Sequence, residues 1–94
     1  MSETASPPEM SVRDAQKAMM AGRLDEAAET LSIILAETPG QTDALYAAAV
    51  CARYRKNYAD AEIFLERLFQ EVPEFGRAYQ ELGYLKRETG ELAA

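Results

Sequence analysis

The chain has no histidine and no tryptophan, a single cysteine, four prolines and five glycines among its 94 residues. Without histidine, the most frequent general base of proteins is missing, and Cys51 has no imidazole to activate it as a nucleophile. A lone cysteine closes no intrachain disulfide, so the fold needs no oxidising compartment. Basic residues are also in deficit: 10 Lys and Arg stand against 16 Asp and Glu, a net charge of -6. That balance argues against general nucleic-acid affinity, which needs a net basic surface to displace counterions from phosphates. Long apolar runs are absent too. The longest, Ala44 to Ala52, is far short of the roughly 20 residues that span a bilayer. Met1 to Glu9 offers neither the basic start nor the apolar stretch of a signal peptide. The expected location is the cytoplasm, with no membrane partner.

What is present is alanine, and a repeat. Ala15, Ala49 and Gly83 lie 34 positions apart, and the same offset relates Ala27 to Ala61, Leu31 to Leu65 and Ile34 to Leu68. Pro39 and Pro73 close successive units, and Gly22, Lys56 and Gly90 share a turn position. A fixed period in this range marks a solenoid, whose units cover one another's apolar faces. The length allows one domain with a modest core. Acidity is concentrated at the start: residues 1–41 hold 7 acidic and 3 basic groups, residues 42–75 hold 6 and 4, and residues 76–94 hold 3 and 3.

The pattern predicts an all-α fold of five helices plus a C-terminal stub. Residues 1–7 read as a disordered lead-in, and Ser6 to Glu9 fits a capping box that opens a helix from about Glu9 to Ala21. Gly22-Arg23 breaks it. A second helix, about Leu24 to Glu37, carries Leu24, Ala27, Ala28, Leu31, Ile34 and Leu35 at helical spacing. Thr38-Pro39-Gly40 ends it. The cycle restarts with helices from Thr42 or Asp43 to about Arg55 and from Tyr58 to Glu71, the latter placing Ala61, Phe64, Leu65, Leu68 and Phe69 inward. After Val72-Pro73-Glu74 comes a helix from about Phe75 to Thr89, turned by Gly90. Residues 8–94 therefore form one domain, with units 8–41 and 42–75 complete and unit 76–94 truncated after its first helix.

These residues resemble the tetratricopeptide repeat, a helix-turn-helix unit of the same period. Its consensus of large aromatic, leucine, glycine and tyrosine is met by Tyr79, Leu82 and Gly83, with Lys86 in place of the tyrosine. The second unit has Leu45, Ala48, Ala49 and Ala52, then Ala61, Leu65 and Pro73; the first has Ser11, Asp14, Ala15 and Ala18, then Ala27, Leu31 and Pro39. Alanine or glycine is needed where the helices of a hairpin approach closely, and Ser11 and Asp14 suit a terminal helix with a polar outer side. The resemblance implies a right-handed α-solenoid of antiparallel hairpins that binds proteins and has no enzymatic activity of its own.

It also implies that the first helix of each hairpin lines a concave groove holding an extended peptide or partner helix. The groove residues would be Val12, Gln16, Met19 and Met20, then Tyr46, Val50, Arg53 and Tyr54, then Arg77, Gln80, Tyr84 and Arg87. Tyrosine and arginine are frequent interface anchors, so a ligand with acidic and apolar groups is expected. Charge reversal at Arg53 and Arg87 should then weaken binding without altering melting. The bland reading is that these arginines pair with nearby glutamates for a few tenths of a kcal/mol. A chaperone-type carboxylate clamp is not expected, because Val12 and Gln16 occupy its first-unit places and Glu81 stands where a base belongs.

Cys51 reads as a small packing residue. Met19 and Met20 suit either an adaptable contact or terminal packing. No spacing suggests a metal or cofactor site. The function expected is that of a scaffold or adaptor module, or else of an N-terminal accessory segment of a larger bacterial enzyme such as a sulfotransferase or glycosyltransferase. The open side of the last helix, with Tyr79, Leu82 and Leu85, further suggests a weak homodimer.

Overall fold

The computed structural model describes residues 11–90, and within them the chain is five α-helices and no strand. They are α1 (Val12–Met20), α2 (Leu24–Glu37), α3 (Thr42–Tyr54), α4 (Tyr58–Glu71) and α5 (Gly76–Thr89). Helices α1 and α2 form one antiparallel hairpin and α3 and α4 a second, with α5 laid against α3 and α4. The expected Ser6 cap, the lead-in over residues 1–7 and the stub at Glu91 to Ala94 lie outside the described residues.

Four helices begin and end within a residue or two of their expected limits, and α2 and α4 agree at both ends. The exception is α1. It begins at Val12 rather than near Glu9, because Ser11 is its N-cap in extended conformation. The Ser11 hydroxyl accepts from the Asp14 amide at 3.1 Å, and the Asp14 carboxylate accepts from the Ser11 amide at 3.2 Å. This reciprocal box satisfies two otherwise orphaned donors and is worth about 1 kcal/mol. Ser11 and Asp14 depart from the consensus because they start a helix.

The turns repeat as faithfully as the helices. Gly22, Lys56 and Gly90 all take positive φ, at 83°, 66° and 84°. The two hairpin turns close alike: the Arg23 amide reaches the Ala18 carbonyl at 2.8 Å, and the Asn57 amide reaches that of Ala52 at 2.8 Å. Each is the six-to-one bond of a Schellman ending. Lys56 is the one described non-glycine residue forced into this region. The next residues pair across one turn in both units, Arg23 to Glu26 at 2.9 Å and Asn57 to Asp60 at 2.8 Å.

Helix α3 is the hub. It packs against all four other helices, whereas the backbones of α2 and α4 stay apart. This explains its composition: Ala44, Ala47, Ala48, Ala49, Cys51 and Ala52 are buried with Leu45, so neighbours can close in from every side. Small side chains set short interaxial distances. Most of the large core side chains come instead from the second helices, where Leu31, Leu65 and Leu68 are at most 1% exposed. The long apolar run of the sequence is thus a buried central helix, and no described helix is long and apolar enough to cross a membrane.

Candidate functional site

The first helices of the units, α1, α3 and α5, share one face of the molecule. At its α1–α3 end lies a concavity of about 410 Å³ lined by Gln16, Met19 and Met20 from α1 and by Tyr46, Ala47, Val50 and Tyr54 from α3. Met20 ends α1 and is 89% exposed, and Tyr54 ends α3 and is 51% exposed. Two helix C-termini thus hold apolar side chains out beside a floor of Ala47 and Val50. Met19 is half-buried against the core and Val12 packs there too, so the two methionines differ: Met19 packs and Met20 protrudes.

The remaining groove residues divide into separate clusters. Arg53 is held by α5: its Nε donates to Glu81, and its Nη1 donates to Glu88. Its side chain is 11% exposed and that of Glu81 only 3%. The guanidinium also lies over the Tyr54 ring at 4.9 Å and the Tyr84 ring at 5.0 Å. Burial works against its charge, but the hydrogen bonds to Glu81 and Glu88 outweigh that cost and hold it protonated beyond its ordinary range. Arg53 is therefore a neutralised tie between units. Its reversal would place a third carboxylate beside two others, so the expectation of unaltered melting does not fit this packing.

Arg77 stacks over Tyr46 at 4.8 Å and Phe75 at 5.1 Å, keeping a 61% exposed side chain at 4.0 Å from Asp43. Burial raises the Tyr46 phenol above its ordinary pKa, the charge of Glu81 adds to this, and Arg77 partly opposes it. Gln80 and Arg87 are exposed on α5. Arg87 has no ion-pair partner among the described residues. Cationic character therefore sits at the α5 end, and apolar character at the α1 end.

Two features were not anticipated from the sequence. One is the Glu81–Arg53–Glu88 clamp, whose signal was present: Glu81, Tyr84 and Glu88 are spaced to share one stripe of α5. The other is a cleft of about 700 Å³ on the opposite side, between α2 and α4, with Ala48, Cys51 and Ala52 as floor and Phe64 in one wall. Arg55 donates across to Asp25 at 3.1 Å, and Arg67 to the Pro39 carbonyl at 3.0 Å. The Cys51 thiol is 1% exposed and donates to the Leu24 carbonyl at 3.4 Å. Burial pushes its pKa up, which suits packing rather than reactivity. Among the described residues no group of three His, Cys, Asp or Glu is placed to hold a metal ion.

The family model described as tetratricopeptide repeat matches residues 18–83. Searches of curated proteins and of solved structures return no match. The matched span runs from the end of α1 into α5 and takes in the whole α3–α4 hairpin with its buried Ala49 and Ala61. On that span, and on the recurring hairpins that it covers, the chain belongs to the tetratricopeptide repeat family.

Proposed function

We propose that this chain is a non-enzymatic scaffold or adaptor module that binds a peptide or partner helix along the α1–α3–α5 face. Tetratricopeptide repeats generally mediate protein–protein interaction, and the reading here rests on one observation. The apolar concavity has Met20 and Tyr54 standing at its rim, far more exposed than the core residues beside them. Methionine adapts its shape to a ligand, and tyrosine offers a large contact area at low entropic cost.

The charge distribution orients the ligand. Arg53 is already paired, so it has little field to offer an incoming carboxylate. Arg77 and Arg87 retain exposed guanidinium groups. The ligand is accordingly apolar where it meets α1 and α3, and acidic where it meets α5. A cytoplasmic setting agrees with the unpaired, buried thiol of Cys51.

The test is selection of binding peptides from a display library, followed by retesting on a Met20→Glu, Tyr54→Ala double variant. Both side chains are exposed, so the fold should survive. Enriched peptides should share apolar positions and lose at least tenfold in affinity on the double variant; Arg87→Glu should weaken only those with acidic residues. No enrichment, or binding indifferent to the double variant, would refute the reading.

A further inference from the structure

The apolar concavity is lined by α1 and α3, and no residue of α5 borders it. Yet both aromatic side chains of its lining are held from the third unit. Tyr46 lies against Phe75, the N-cap of α5, with ring centroids 5.7 Å apart, and the Arg77 guanidinium covers its ring at 4.8 Å. Tyr54 is held at one remove. The Arg53 guanidinium lies over its ring at 4.9 Å. All three nitrogens of that group donate to α5, Nε and Nη2 to Glu81 and Nη1 to Glu88. Three bonds to two carboxylates fix both the place and the plane of the guanidinium, as a single ion pair would not. The Tyr84 ring, at 5.0 Å, adds a further contact from α5.

Placement matters most for Tyr54. It is the last residue of α3 and half-exposed, with Val50 one turn before it in the floor. A half-exposed ring at a helix end has several rotamers open to it, and a ligand that needs one of them loses affinity in selecting it. A guanidinium locked over the ring narrows that choice before any ligand arrives. Across the concavity, Met20 is exposed on a flexible, unbranched side chain. The site thus has one set wall and one adaptable wall.

Resting on the reading that this concavity takes an apolar ligand segment, we infer that Glu81 and Glu88 are positioning residues for it, acting through Arg53 to preset the Tyr54 ring. The third unit then serves binding between the first two without lining the site itself.

Glu81→Gln and Glu88→Gln keep the shape of each side chain and remove the charges that grip Arg53. Both variants and their double are assayed in the 94-residue chain. The probe is a display-selected peptide without charged residues, so that a freed guanidinium gains nothing from it. The double variant should bind about three- to tenfold more weakly, and each single variant should lose less. In a Tyr54→Ala background the same changes should leave affinity unaltered, because the ring that they set is gone. A general loss of stability would act in both backgrounds. Without any peptide, NMR of the wild type should show nuclear Overhauser contacts from the Arg53 side chain to the Tyr54 and Tyr84 rings, weakened in the double variant. Where the double variant melts too low for assay, the single variants carry both readouts. Ring contacts or affinity unchanged in the variants, or an affinity loss that persists in the Tyr54→Ala background, overturns the inference and leaves the binding reading intact. A library that yields no peptide overturns the binding reading, and the inference with it.

Discussion

Arg53 on α3 is gripped by Glu81 and Glu88 on α5, two carboxylates two helical turns apart that converge on one guanidinium. The tie is the main polar link between the second unit and the third. The Arg53 and Glu81 side chains are 11% and 3% exposed, so this pair is desolvated, while Glu88 at 32% keeps contact with solvent. Such a cluster adds little beyond an apolar packing of equal shape, but losing one member strands the others.

Arg53→Ala should therefore destabilise the domain by about 3 kcal/mol, since it leaves the buried Glu81 carboxylate unpaired. Adding Glu81→Leu to that variant should restore about half or more of the loss, because the stranded charge goes with it. Chemical denaturation of the two singles and the double provides the cycle. A single variant that loses less than about 1 kcal/mol would show the tie to be an ordinary surface pair.

Lys56 tests the turn. Its φ of 66° places a side-chain-bearing residue where Gly22 and Gly90 stand in the neighbouring units. Lys56→Gly should raise stability by about 0.5–1 kcal/mol, the relief of left-handed strain exceeding the entropic cost of glycine. Thermal melting at low ionic strength is sufficient, and an unaltered or lower Tm would mean that the turn carries no strain.

The same repeat position should respond with opposite signs in two units. Ala49 is fully buried at the α3–α4 contact, so Ala49→Leu should cost about 1–3 kcal/mol through overpacking. Gly83, its counterpart, has open space around its missing Cβ, so Gly83→Ala should gain about 0.5–1 kcal/mol from helix propensity. Chemical denaturation of the two variants beside the wild type makes the comparison. Equal signs at the two sites would contradict the packing difference between α3 and α5.

Alkaline stability follows from Cys51. Its folded pKa is raised above the ordinary 9.0 by burial. The folded state thus holds the proton more tightly than the unfolded chain, and the stability present below the ordinary value is lost as pH rises through it toward the raised one. Melting between pH ~8 and ~10 should fall more for the wild type than for Cys51→Ala, which has nothing to ionise there. Tyr46, also raised by burial, adds a loss of the same sign at higher pH. Identical slopes would show that the thiol ionises freely in the folded state.

The sequence by itself determined the helices, their order and their turns. Ala27, Leu31 and Ile34 recur as Ala61, Leu65 and Leu68, and all six are buried. Gly22, Lys56 and Gly90 mark three left-handed turns without any contact being known. These features are local: periodicity, breaker residues and the backbone freedom of glycine act within a turn or two of chain. Helix α1 starts at Val12 rather than near Glu9 because Ser11 and Asp14 close its capping box, the same two residues that depart from the repeat consensus.

Only the tertiary structure decided what the face side chains do. The repeat put Arg53, Tyr54, Tyr84 and Arg87 on one surface, but pairing of Arg53 depends on Glu81 and Glu88, 28 and 35 positions away. Whether those carboxylates reach it is set by the crossing of α3 and α5, which no periodicity encodes. The cleft between α2 and α4 has the same origin, since it exists because those helices splay apart over the narrow, alanine-rich α3. Local sequence specifies which way a side chain leaves its helix; the angle and distance between helices, summed over many weak contacts, specify what it meets.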